Sequence, residues 1–219
     1  DPTTLSEGLI LQQEFPKALL TAGATPPHDV VQEGESAFPL FAQAARAGQL
    51  AAIGETGLDY YSHRETRALQ HTFLLRYMAL ALECSLPLIF HCRDAFSDLF
   101  SLAKEHYANR PAILHCFTGG IEEAKEAVAR GWMLSFSGIL TFKKSEELRA
   151  VAKEVPLSHL LIETDAPYLA PLPWRGKRNE PSYTVFTVRA MAEARGENPE
   201  ELWRTCGDNA RRFFGLPAQ

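Results

Sequence analysis

Four side chains of metal-ligand type recur at comparable places along this chain. Each follows an apolar run and precedes a turn: Ala51 to Ile53 leads to Glu55, Leu86 to Phe90 leads to His91, Pro111 to Leu114 leads to His115, and Leu160 to Ile162 leads through Glu163 to Asp165. Taken alone, Glu163 and Asp165 read as a strand end turning into solvent, with Asp165 capping the segment beyond it. A single buried histidine, likewise, is more often a satisfied core residue than a ligand. Repetition changes the reading, because two imidazoles and two carboxylates carried to neighbouring strand ends are better explained by a metal ion. Such a mixed nitrogen and oxygen set suits Zn, Mn or Fe, and Mg also when waters and a substrate phosphate complete its octahedron.

The elements that must hold these residues follow from the apolar pattern. Pro167 ends the strand before Asp165's loop can continue it, and parallel α/β proteins keep their chemistry at strand C-termini. Helices are expected at Leu5 to Glu14, Phe38 to Leu50, Glu65 to Cys84, Ala95 to His106, Ile121 to Arg130, Glu146 to Lys153, Thr184 to Gly196 and Pro199 to Phe214. The clearest is Glu65 to Cys84, where Leu69, Phe73, Tyr77, Leu80 and Cys84 return every three or four residues. Strands are expected at Ala18 to Gly23, around Ile53, His91, His115 and Ile162, and at Gly131 to Gly138. Strand and helix alternating with short connections mean parallel βα units. Ligand-type residues at several separate strand ends favour a closed (β/α)8 barrel of TIM type over an open sheet with one crevice. A complete barrel takes eight strands and about 250 residues, so the expectation is a barrel whose first one or two strands are absent from this chain.

Composition narrows the classes. The 219 residues, 46% of them hydrophobic, support one sizeable core and a single domain over residues 1–219. No uncharged apolar run reaches the ~18 residues of a membrane helix, and the start, Asp1 to Thr4, lacks the basic and apolar regions of a signal peptide. A soluble, cytoplasmic protein without membrane partners is expected. Cys84, Cys92, Cys116 and Cys206 have no CxxC spacing and read as packed, reduced thiols. The net charge of −5 argues against non-specific coating of nucleic acid but leaves room for a local basic pocket, of which Trp174 to Arg178 is a candidate. His28, beyond the helix-breaking pair Pro26 and Pro27, sits on an exposed loop. A solvated histidine and a substrate contact both remain open for it.

Five stretches, in order, resemble the TatD family of metal-dependent deoxyribonucleases within the amidohydrolase-type barrels. They are GETGLDYY at Gly54 to Tyr61, LPLIFHCRDA at Leu86 to Ala95, LHCFTGG at Leu114 to Gly120, LLIETDAPYLAP at Leu160 to Pro171 and RGKRNEPSY at Arg175 to Tyr183. The resemblance runs from Phe15 to Leu216. It implies that Glu55, His91, His115 and Asp165 are ligands of divalent metal ions, two in a complete site (Mg, Mn or Zn). It also implies further ligands from an N-terminal His-x-His, which this chain does not contain. The chain departs from the family again at Gly23 to Asp29, where Pro-His-Asp stands without the earlier histidine of the family loop.

In the chemistry so implied, Glu55 bridges the ions, His91 and His115 complete one, and Asp165 holds the other and accepts the proton of the attacking water, making Glu55 and Asp165 the catalytic pair. Arg93, two residues beyond a ligand, could clamp a phosphate with its guanidinium. Arg175 and Lys177 could hold flanking phosphates, and Tyr60 could stack on a base, although solvated charge and rim packing account for such residues equally. The substrate expected is nucleic acid, DNA first, cleaved as a 3'-to-5' exonuclease. An amidohydrolase or deacylase acting on aminoacyl-tRNA, and a non-catalytic nucleic-acid-binding relative, are the competing classes. Four retained ligand residues argue against the last.

Overall fold

The computed structural model describes residues 2–217. The chain falls into two compact units, residues 1–113 and 114–219. In the first, helix α1 (Pro2–Glu14) and helix α2 (Gly34–Arg46) precede strand β1 (Ile53–Asp59), helix α3 (Arg67–Cys84), strand β2 (Leu88–Arg93), helix α4 (Phe96–His106) and the start of strand β3 (Ala112–Leu114). Strand and helix thus alternate as the apolar pattern requires.

The long helix α3 buries Phe73, Leu74, Tyr77, Met78, Leu80 and Ala81 and packs on β1. It stops at Ser85, whose left-handed backbone returns its N–H to the carbonyls of Ala81 and Leu82. Strands β1 and β2 pair in parallel, with Ile53 opposite Leu88, Gly57 opposite His91 and Asp59 opposite Arg93. Gly57 is required for this approach: its φ is +154°, and a Cβ there would lie 1.9 Å from the His91 carbonyl oxygen. Helix α2 begins earlier than its apolar spacing suggests, at Gly34, where a Cβ would meet the Phe73 ring at 2.5 Å. It ends before Gly48, whose positive φ lets the chain turn away.

The strand expected at Ala18 to Gly23 is reduced to one parallel bridge between Ala22 and Ala52. Leu19 and Leu20 are 41% and 44% exposed, so neither anchors a strand face. Helix α1 takes up the backbone instead: the Thr21 N–H donates to Gln12 Oε1 at 2.6 Å, and the Thr21 hydroxyl donates to the Gly8 carbonyl.

The second unit contains helix α5 (Ile121–Ala129), strand β4 (Met133–Phe136), helix α6 (Glu146–Glu154), strand β5 (Leu160–Ile162), helix α7 (Thr184–Arg195) and helix α8 (Pro199–Phe213). Strands β4 and β5 are parallel, Leu134 opposite Leu160 and Phe136 opposite Ile162. Met133, Leu134, Phe136, Leu160 and Leu161 are buried, with Ser135 among them. Side chains from the last two helices tie off the carbonyls around β5. Asn209 Nδ2 donates to the Leu157 and Leu160 carbonyls at 2.7 and 2.9 Å. Arg195 Nη1 donates to three carbonyls at the end of α6, those of Ala152, Lys153 and Val155. Helix α8 starts cleanly because the Asn198 side chain accepts the Glu200 and Glu201 N–H groups with Pro199 at the first helical position. Among the described residues no helix is long and apolar enough to cross a membrane.

Candidate metal centre

In the first unit, Glu55 lies inside β1 rather than at its end, since the strand continues to Asp59. The register of β1 against β2 shifts between Gly54 and Thr56, which makes Glu55 the extra residue of a bulge. Bulges re-aim the side chain they carry. Here the Glu55 carboxylate and a ring nitrogen of His91, in β2, come within 4.8 Å of one another.

His91 is backed by an acid that its own strand does not supply. Its Nε2 lies 3.5 Å from Asp59 Oδ2, at the end of β1. Asp59 is buried, and its place is fixed from three sides: Oδ1 accepts the Ser62 N–H at 2.8 Å, its own N–H donates to Gln70 Oε1 at 2.8 Å, and Gln70 Nε2 returns a bond to its carbonyl. Burial pushes the Asp59 carboxyl up, but the bond with His91, the Ser62 N–H and the charges of His91 and Arg93 outweigh it and hold the pKa at about 2. Asp59 is therefore an anion throughout the physiological range.

Arg93 ends β2 with its guanidinium 3.8 Å from the Tyr61 ring centroid. Tyr60 turns its hydroxyl away into a network, sharing a 2.6 Å bond with His71 Nε2 and donating to Asp98 Oδ2 at 2.6 Å. Arg67 closes that network on Asp98 at 2.7 Å. Burial, with Asp98 as acceptor and neighbouring charge, pushes the Tyr60 phenol up. His28 is exposed on its loop, 3.5 Å from the Asp29 carboxylate and with its ring centroid 6.4 Å from that of His63.

The second unit gathers a second set. His115 follows β3, Glu163 follows β5 directly, and Asp165 comes two residues later. One ligand atom from each of the three lies within 4.8 Å of the others. His115 Nδ1 is 3.4 Å from Glu163 Oε1. Asp165 has φ +59°, and the loop that holds it there is organised by the buried Asn179. Asn179 Nδ2 donates to the Thr164 and Tyr168 carbonyls at 2.7 and 2.6 Å, and its N–H donates to the Pro167 carbonyl. The adjacent Cys116, also left-handed in backbone, contacts the Ser137 hydroxyl through sulfur at 3.2 Å. Further along, Arg175 lies over the Phe142 ring at 4.4 Å, Trp174 stacks on Tyr183, and Lys177 is exposed.

Sequence reasoning passed over Asp59 as a partner and gave Glu163 no role of its own. Both now stand beside a histidine, with one ring nitrogen of that histidine facing the carboxylate. Metal-binding imidazoles are commonly oriented in this way by a carboxylate on their other nitrogen. The donor types and this double backing fit a divalent cation.

The family model described as TatD related DNase matches residues 1–215. The uncharacterized metal-dependent hydrolase YabD of Bacillus subtilis is 36% identical over 217 residues, covering 99% of this chain and 85% of its own. The uncharacterized metal-dependent hydrolase YcfH of Escherichia coli is 42% identical over 176 residues, 80% of this chain and 66% of its own. The 3'-5' ssDNA/RNA exonuclease TatD of Pectobacterium atrosepticum is 37% identical over 216 residues, 96% of this chain and 83% of its own. Among solved structures, YjjV, a TatD homolog from Escherichia coli, superimposes with a TM-score of 0.91 at 25% identity, covering 99% of this chain and 84% of that one. The fold class is the α/β TIM-type barrel of these proteins.

Proposed function

As a member of the TatD related DNase family, a family of metal-dependent hydrolases, this chain is, we propose, a divalent-metal-dependent nuclease that removes nucleotides from single-stranded DNA, working as one hydrolase domain in the cytoplasm. The observation that carries the reading is the convergence of His115 and Asp165 ligand atoms within 4.8 Å, with the Glu163 carboxylate that backs His115 also within that distance of both, at the exits of β3 and β5. Glu55 and His91 in the first unit, and His115 and Asp165 in the second, would serve as ligands of divalent metal. A divalent cation there supplies the positive charge that acidifies a bound water and neutralises a phosphodiester oxygen.

The remaining steps belong to the protein. Asp165, kept in place by Asn179, takes the proton of the attacking water. Asp59 and Glu163 hold His91 and His115 in one ring orientation. Arg93 receives a phosphate through its planar fork of donors, while Arg175 and Lys177 hold phosphates further along the strand and His28 and the Tyr60 ring contact the substrate. Relatives carrying the name 3'-5' ssDNA/RNA exonuclease support the same substrate and polarity.

The test is degradation of end-labelled single-stranded DNA in Mg or Mn, beside an EDTA control and Asp165→Asn. Metal-dependent shortening that falls by about a hundredfold or more in Asp165→Asn, the scale of a lost general base, is the expected result. No shortening by protein that has bound Mn to saturation would overturn the reading and direct attention to carboxylic ester and aminoacyl-tRNA substrates.

A further inference from the structure

Away from these ligands, the second unit has a cleft of about 700 Å³ between α6, α7 and the turn at Gly138–Thr141. That size is in the range of small-molecule sites, about 300 to 1,000 Å³. Its walls combine aromatic surface, from Phe142 and Phe186, with the cationic side chains Lys143, Arg149, Lys153 and Arg189, against two acids, Glu146 and Glu193. The chain as a whole carries a net charge of −5, so an excess of cations in one concavity is a local reversal of its sign.

The cleft is built rather than incidental. Arg149 Nη1 donates to the Leu140 and Phe142 carbonyls at 2.9 and 2.8 Å, pinning the turn that forms one wall. The Thr141 hydroxyl donates to the Gly138 carbonyl and accepts the Leu172 N–H at 2.8 Å. The segment from Asp165 to Leu172 therefore runs from the ligand cluster to the rim of the cleft. It passes so close to the turn that a Cβ on Gly138 would lie 2.2 Å from the Leu169 carbonyl oxygen. Arg175 covers one side of Phe142, and Phe186 meets Tyr183 edge to face, while Tyr183 stacks on Trp174.

We propose that this cleft is a second binding site for single-stranded nucleic acid, holding the part of the strand that lies beyond the cleaved end. Lys143, Lys153 and Arg189 take backbone phosphates, and the Phe142 and Phe186 rings offer apolar faces to bases. Aromatic platforms flanked by cations bind single strands without sequence preference, because every base has a π-face. The inference rests on the nuclease reading above and names where a longer substrate gains affinity.

The double variant Lys143→Glu/Arg189→Glu tests it, with Lys143→Ala/Arg189→Ala as a milder second and thermal melting as a check on folding, since both positions are exposed. Binding of a fluorescent 12-nucleotide DNA and of a trinucleotide is measured in EDTA, and cleavage of both in Mn. The expected result is a loss of roughly tenfold or more in 12-mer affinity with the trinucleotide unchanged, and a salt slope lower by about 1.4, or ~0.7 for each of two phosphate contacts. Equal loss for both lengths, no loss for either, or a 12-residue poly-glutamate binding as tightly as the 12-mer would overturn the site. Should the unaltered protein bind the 12-mer but shorten neither DNA in Mn, the nuclease reading fails, and the length dependence still decides the cleft.

Discussion

At the residue scale, the informative pairs are those in which an acid stands behind an imidazole. Asp59 faces His91 and Glu163 faces His115, one such pair in each unit. An imidazole so held presents its remaining nitrogen in a defined direction, and the carboxylate raises its basicity as a ligand. Asp59→Asn keeps the shape and removes the charge. Its Mn affinity, measured by isothermal titration calorimetry, is expected to fall by about tenfold to a hundredfold, the cost of losing a partner behind a metal ligand. Affinity equal to that of the unaltered protein would leave Asp59 with only its structural bonds to Ser62 and Gln70.

At the scale of elements, the network joining β1, α3 and α4 makes a pH prediction. The carboxyl of Asp98, on α4, is lowered from its usual value chiefly by the Tyr60 hydroxyl it accepts, against some burial, with the charges of Arg67 and His71 adding to the effect. A folded-state pKa below the unfolded one means that the native state binds this proton less well. The stability Asp98 contributes is thus complete above the ordinary carboxylate range and is lost as pH falls through the lowered value. Asp98→Asn is expected to flatten the acid limb of a urea-midpoint profile, leaving a difference from the parent near neutral pH that shrinks on acidification. A difference constant from neutral to acid pH would show that the ionised form has no special place in this junction.

At the scale of the molecule, metal and stability are linked. A cation that binds the folded chain and not the unfolded one adds about 2.7 kcal/mol at a hundred times its Kd. Mn at that concentration is expected to raise the melting temperature of the parent and to raise that of Asp165→Asn by less. An equal rise in both would mean that Asp165 takes no part in holding the ion. Much of this organisation was legible beforehand. The apolar period of α3, the punctuation by Gly and Pro and the short apolar runs all report local preferences that neighbours in sequence decide. They placed the helices and the parallel strands, and the five motifs carried the family resemblance that the family model matches over residues 1–215. Other features depended on residues far apart in the chain. The bulge at Glu55 exists only because β1 pairs with β2 in one register. The strand near Ala22 shrinks to a bridge with Ala52, far off in the chain, beside which Gln12 takes the Thr21 N–H. Asp59 and Glu163 become partners of histidines only when strands bring them side by side. Local sequence thus determined which elements form and which residue types they present, whereas tertiary structure decided which of those residues meet, because pairing register and side-chain reach are set across the sheet and not along the chain.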